Sequence, residues 1–143
     1  MEIYFGIFNL IALIPWLLMI CFPDHKITGI CTDRQIPVVM LCSIYFVLFF
    51  IQILGPNNTF VDFMDFNSVK QAFSNDLVML LGWVHYLAFD LFIGIYIFEN
   101  MKQQLKMRLS LRMILVITLF LGPIGYLIFA LSGRSRDKKS QVE

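Results

Sequence analysis

Residues 82–94 read "GWVHYLAFDLFIG" and lie inside an apolar run that extends from Leu77 to Phe98. A helix of about 20 residues, rising 1.5 Å per residue, crosses a hydrocarbon core of about 30 Å. The run therefore predicts a membrane-spanning helix. It contains two ionisable side chains, His85 and Asp90, at a depth where a charge costs about 2.5–3.5 kcal/mol on insertion scales. Such residues usually face the interior of a helix bundle and are candidates for function.

Three more apolar runs have a similar length, and the composition agrees with a membrane protein. Of the 143 residues, 59% are hydrophobic and 15% are charged, whereas a soluble domain carries about 25% charged residues. We predict an all-α integral membrane bundle of four transmembrane helices in one domain over residues 1–143. The predicted spans are residues 3–22, 37–54, 77–98 and 113–132, followed by a basic tail, 133–143.

The segment between the second and third spans is polar but also carries several phenylalanines. Asn67 or Ser68 is suited to cap a short helix that continues through Gln71 to Phe73. We predict that this helix rests at the membrane interface. An ordinary loop with aromatic anchors is the alternative.

The net charge argues against binding of nucleic acid, and the number of metal-ligating side chains argues against a metal site. The formal net charge is +1, which provides no electrostatic basis for binding nucleic acid. One His and one Asp within the spans are too few ligands for a transition metal, which usually takes three or four. We therefore predict neither a metal nor a cofactor.

The helical period determines how the ionisable side chains of the third span can act. His85 and Asp90 are five residues apart, so they project about 140° apart and do not bond directly. Tyr86 precedes Asp90 by four residues and shares its face, with Trp83 beside it. At intervals of four residues along this span lie Gly82, Tyr86, Asp90 and Gly94, which we call the row.

Two other spans contribute candidate residues. In the first span, Asn9 and Trp16 are seven residues apart and share a face. In the fourth span, Pro123 leaves the carbonyl of Leu119 without its helical partner and should kink the helix. This kink has two possible roles. It either serves helix packing alone or opens space for a ligand, and both interpretations stay open. The predicted substrate-binding residues are Asn9, Trp16, Trp83, Tyr86, Gly122, Pro123 and Gly125.

Two hypotheses compete for the polar groups of the third span. In the structural one, His85 and Asp90 bond to polar side chains of other helices and fix the helix register. The candidate partners are Asn9, Tyr45, Gln52 and Thr118. In the catalytic one, a protonated Asp90 is a general acid and His85 is a base or an orienting group.

The quoted stretch also supports a resemblance to a known family. It is preceded by "NSVKQAFSND" at residues 67–76 and followed by "FLGPIGYLIFAL" at residues 120–131. The first span contributes "NLIALIPWLLMICFP" at residues 9–23. Together these segments resemble the abscisic acid deficient four-like family of small membrane proteins, which is required for neoxanthin synthesis in plants. The resemblance covers four helices and most of the chain.

The resemblance implies a reaction. In plastids the family is tied to the conversion of violaxanthin to neoxanthin, an isomerisation in which an epoxide opens and an allene forms. An acid and a base suffice for it, and Asp90 and His85 are the expected pair. The expected function is cofactor-independent isomerisation of a carotenoid or another long apolar lipid. The alternative is a protein that binds a polyene without chemistry, or that partners another membrane enzyme.

Two features differ from the plant members of that family. The first span begins at residue 3, with no extension before it that resembles a plastid transit peptide. A bacterial-type, multi-pass protein of the inner (cell) membrane is therefore expected. Ile95 stands where the family pattern suggests arginine. The expected partners are the lipid bilayer, the apolar ligand, and a second copy of the chain or another membrane enzyme.

Overall fold

The computed structural model describes residues 1–55, 61–102 and 108–132. Every element within those ranges is a helix, which confirms the all-α prediction. The helices are α1 (Glu2–Cys21), α2 (Lys26–Asp33), α3 (Ile36–Leu54), α4 (Phe66–Ala72), α5 (Asp76–Met101), α6 (Arg108–Phe120) and α7 (Gly122–Leu131). The predicted basic tail, 133–143, lies outside the described residues.

Three helices, α1, α3 and α5, are long and apolar enough to cross a membrane. They correspond to the first three predicted spans. The predicted fourth helix, 113–132, is instead two shorter apolar helices, α6 and α7. The described residues therefore contain three clear spans rather than four.

The break between α6 and α7 lies at Leu121, whose φ of −140° and ψ of 61° are not helical. Pro123 explains it, because proline lacks an amide hydrogen and its ring clashes with the preceding turn. The chain resumes as a helix when the amides of Ile124 and Gly125 donate to the carbonyl of Leu121, at 2.9 and 3.0 Å. The predicted kink is thus a complete interruption.

Helix α5 is the central element, and it packs against α1, α2, α3, α6 and α7. Its packing depends on close approach at glycine. A Cβ atom at Gly94 would overlap the indole of Trp16 from α1. Trp16 is only 2% exposed and belongs to the hydrophobic core. The central position of α5 means that each of its faces meets a different neighbour.

Helices α2 and α4 are short, and a side chain caps the beginning of each. Helix α4 confirms the short helix predicted between the second and third spans, but its N-cap is Asp65, not Asn67 or Ser68. The Asp65 carboxylate accepts hydrogen bonds from the amides of both those residues, at 3.2 and 3.0 Å. Helix α2 lies between the first two predicted spans, and His25 caps it by accepting from the amide of Ile27 at 3.2 Å.

Candidate functional site

A cavity of about 470 Å³ lies between α3, α5 and the segment that contains α4. We call it the His85 cavity. Its walls are mainly aliphatic and aromatic, and three polar side chains reach it, namely Tyr45, Gln52 and His85. Small-molecule sites in proteins commonly combine an apolar wall with a few convergent polar groups. The cavity therefore has the composition of a site for an apolar ligand that carries a polar group.

His85 lies at the wall of this cavity on α5. The centre of its ring is 5.7 Å from that of Tyr45 and 4.8 Å from that of Phe89. The side chain is exposed, and its imidazole forms no hydrogen bond with any residue that the structure describes. A neutral imidazole has one nitrogen that donates and one that accepts. His85 can therefore donate a hydrogen bond to, or accept one from, a molecule in the cavity.

The segment 61–73, which we call the roof, covers one side of the cavity. Phe73 packs directly over Gly82 of α5, where a Cβ atom would come within 2.7 Å of the phenyl ring. Val69 and Ala72 of α4 also line the cavity. Gly82 is therefore a contact site for the roof rather than part of a polar surface.

Asp90 has different neighbours. Its partly buried carboxylate lies against Gly122, and a Cβ atom at that glycine would overlap Oδ1. Gly122 is the first residue of α7, and a helix N-terminus carries a partial positive charge that favours a nearby carboxylate. Among the described residues, none donates a hydrogen bond to Asp90. The structure thus places His85 beside α3 and Asp90 beside α7, and it does not bring the predicted acid and base together.

The predicted row Gly82, Tyr86, Asp90 and Gly94 does not form one surface. Each step of four residues rotates by about 40° beyond a full turn, so three steps amount to about 120°. Gly82 consequently meets Phe73 of the roof, whereas Gly94 meets Trp16 of α1. The four positions therefore lie on different sides of α5, because the rotation accumulates along the helix.

Three predicted binding residues do come together on the α1–α5 surface. The indole Nε1 of Trp83 donates to Oδ1 of Asn9 at 3.0 Å, and the Asn9 amide donates to the carbonyl of Phe5 at 2.9 Å. The ring of Tyr86 lies 5.4 Å from that of Trp83. Tyr86 precedes Asp90 by four residues on α5 and shares its face. We call Asn9, Trp83, Tyr86 and Asp90, with Gly122, the Asp90 face.

The remaining predicted binding residues lie in close packing contacts. Trp16 is buried against Gly94, as described above. A Cβ atom at Gly125 would overlap the Thr118 side chain, which is buried and donates to the carbonyl of Ile114 at 2.7 Å. Pro123 lies at the helix break. These contacts show close packing between and within α1, α5, α6 and α7, and no described contact directs these residues to the His85 cavity.

The sequence analysis named Tyr45 and Gln52 as possible hydrogen-bond partners of His85 and Asp90, but not as substrate-binding residues. Both are polar side chains in the otherwise apolar α3, and they are seven residues apart with Phe49 between them. Positions i, i+4 and i+7 share one face of a helix. This spacing was the available signal, since all three side chains line the His85 cavity.

Ionic contacts lie at the far end of α5. The Lys102 ammonium is 2.6 Å from Oε2 of Glu99 and 3.1 Å from Oδ1 of Asp33. Burial lowers the pKa of Lys102, but the hydrogen bonds and negative charges of the two carboxylates outweigh burial and raise the pKa. Helix α2 is thereby linked to the end of α5. As for metals, no three His, Cys, Asp or Glu residues within the described ranges are grouped closely enough to bind an ion.

Comparison with known proteins yields one match. A family model described as ABA DEFICIENT 4-like matches residues 3–129. No curated protein and no solved structure matches the chain. The match covers most of the chain and includes the His85 cavity and the Asp90 face.

Proposed function

Since this chain belongs to the ABA DEFICIENT 4-like family, we propose that it is a neoxanthin synthase-like membrane protein. It isomerises a carotenoid or another long apolar lipid without a cofactor. The observation that carries this proposal is the His85 cavity, in which an apolar wall surrounds an imidazole without a hydrogen-bond partner among the described residues.

The chemistry requires proton transfer and no electron carrier. A base removes a proton from the polyene carbon next to the epoxide-bearing ring. The released electron pair forms the new double bond, and the bond between the epoxide oxygen and the ring carbon on the polyene side breaks. The oxygen gains a proton and becomes a hydroxyl group, so the product is an isomer of the substrate. In this proposal His85 is the base, and such catalysis contributes typically about 10²–10⁴-fold.

Asp90 is the proposed acid. A carboxyl group within a span is a functional candidate by default, and Asp90 is adjacent to Tyr86 on the same helix face. Its carboxylate lies against α7, on another side of α5 from His85. That separation favours a second candidate function, in which the protein binds a polyene without converting it, or presents it to another membrane enzyme.

The proposed topology has four membrane crossings. Helices α6 and α7 contain 13 and 10 residues, which together extend about 35 Å against a hydrocarbon core of about 30 Å. We propose that they cross as one broken helix. Phe63, Met64 and Phe66 are exposed on the roof and would anchor it at the interface. The bacterial inner (cell) membrane is the proposed location, and a second copy or another membrane enzyme is a proposed partner.

The test is expression in a carotenoid-producing host, followed by pigment analysis. Wild type should generate a pigment with a new retention time and an unchanged mass, and His85→Ala and Asp90→Asn should reduce it. Ser43→Ala is the matched control, because the Ser43 hydroxyl donates to the carbonyl of Val39 and lies outside the His85 cavity.

The result also separates the two candidate functions. Pigment that co-purifies with the protein but keeps its structure during prolonged incubation favours binding without chemistry. Pigment and lipid profiles that match the empty vector, with no pigment on the purified protein, would contradict both functions.

A further inference from the structure

The His85 cavity is short compared with the proposed ligand. Along α5 its lining extends from Val78 to His85, seven residues or about 10 Å. A carotenoid is about as long as the hydrocarbon core is thick, roughly 30 Å. About one third of such a molecule fits within the cavity.

The polar lining of the cavity includes a group that can recognise oxygen. Gln52 is two residues from the end of α3 and lines the cavity on the side opposite α5. Its amide has no hydrogen-bond partner in the described part of the chain. Gln52 is partly buried beside the apolar lining, and its amide can both donate and accept a hydrogen bond. A ligand hydroxyl or epoxide oxygen would provide the missing partner.

The cavity is open next to the roof. Phe63 is 83% exposed and also contributes to the cavity lining, so it lies at the mouth. Phe73, packed on Gly82, covers another part. An apolar molecule dissolved in the bilayer can therefore enter beside Phe63 while part of it stays outside.

We propose that the His85 cavity holds one oxygen-bearing end group of a long lipid, with the rest of the molecule outside in the bilayer, and that Gln52 is the specificity-determining residue for the oxygen. This inference rests on the proposed function and deepens it. Tyr45 and His85 complete the polar lining around the end group. The hydrocarbon chain contributes affinity but little selectivity.

The experiment measures binding to purified protein in phosphatidylcholine nanodiscs. The probes are zeaxanthin and β-carotene, which share one polyene chain and differ only in ring hydroxyl groups. Wild type should bind zeaxanthin about tenfold more tightly, which corresponds to one hydrogen bond. Gln52→Met, similar in length but without an amide, should bring the two affinities to within about twofold.

Two controls define the result. Ser43→Ala, on another face of α3, should keep the tenfold preference. A hydroxylated β-ionone, which is a single end group, should displace zeaxanthin from wild type. Gln52→Asn, which keeps an amide on a shorter side chain, should show an intermediate preference, and it replaces Gln52→Met if that variant does not fold.

The outcomes separate the two proposals. A preference that is unchanged in both Gln52 variants overturns the role of Gln52. A single-ring compound that fails to displace bound zeaxanthin overturns the end-group arrangement. Equal affinity of wild type for both carotenoids refutes this inference alone, whereas no binding of either carotenoid refutes the proposed function as well.

Discussion

The two polar regions of α5 differ in how completely the protein fills the space beside them. At the His85 cavity, three polar side chains line an open volume, and the roof rests on a glycine through a movable phenyl ring. At the Asp90 face, Trp83 bonds to Asn9 and the Asp90 carboxylate abuts the backbone of α7. An ionisable side chain within a span is therefore not sufficient evidence for a ligand site. The packing of neighbouring helices distinguishes a cavity from a packed contact.

The largest expected effect is on activity. His85→Ala should lower pigment conversion by about 10²–10⁴-fold, since it removes the proposed base. Asp90→Asn should lower conversion by a smaller factor, because Asp90 does not line the His85 cavity. Pigment analysis in the same host measures both. A larger loss in Asp90→Asn than in His85→Ala would contradict the assignment of His85 as the base and place the chemistry at the Asp90 face.

The next effect is on stability at the Asp90 face. Gly122→Ala should destabilise the protein by about 1–3 kcal/mol, because the added methyl group overlaps the Asp90 carboxylate and the nearby backbone is constrained by packing. Unfolding in detergent measures the change. Gly6→Ala is the matched control, since a Cβ atom there meets nothing within 4 Å. Equal stability of the Gly122 and Gly6 variants would show that the Asp90 face is loosely packed.

The corresponding change at the His85 cavity should cost less. Gly82→Ala meets only the end of the Phe73 ring, which can shift, and alanine is favoured over glycine in a helix by about 0.5–1 kcal/mol. A net loss of less than about 1 kcal/mol is expected in the same unfolding assay. A loss as large as that of Gly122→Ala would mean that the roof is fixed in place.

The smallest effect on stability is expected at the ion pairs of Lys102, which belong to neither the His85 cavity nor the Asp90 face. Exposed ion pairs contribute about 0.2–1 kcal/mol, so Lys102→Met should cost about 0.5 kcal/mol at neutral pH. The two neighbouring carboxylates raise the pKa of Lys102 in the folded protein above its ordinary value. The stabilisation is therefore complete below about pH 10 and is lost as pH rises through the folded pKa.

Unfolding of wild type and of Lys102→Met across this pH range tests the direction of the pKa shift of Lys102. The difference in unfolding free energy between wild type and Lys102→Met should shrink as lysine deprotonates. A difference that grows with pH would contradict the raised pKa.

Local sequence signals predicted the helices better than the site. The length of the apolar runs predicted α1, α3 and α5, and the short helix α4 was also predicted. The predicted caps of α4, Asn67 or Ser68, are two or three residues after the actual cap, Asp65, whose carboxylate accepts from the amides of both. Pro123 was expected to kink one helix, but it separates α6 from α7.

Local sequence signals predicted only part of the candidate site. The period of the helix was enough to predict that His85 and Asp90 do not pair, because the angle between two side chains depends only on their spacing. Trp16 was predicted as a substrate-binding residue, and in the structure it is buried against Gly94. Its sequence position could not reveal this, since the contact joins residues nearly 80 positions apart.

Run length, helical period and capping residues are local properties, so the sequence alone determined the all-helical class, three spans and the divergence of His85 from Asp90. Tertiary packing determined the rest. It placed Gln52, Tyr45 and His85 around one cavity, and it placed α7 against Asp90. The reason is physical: which distant segments meet depends on how whole helix surfaces fit together, and no short window of sequence contains that information.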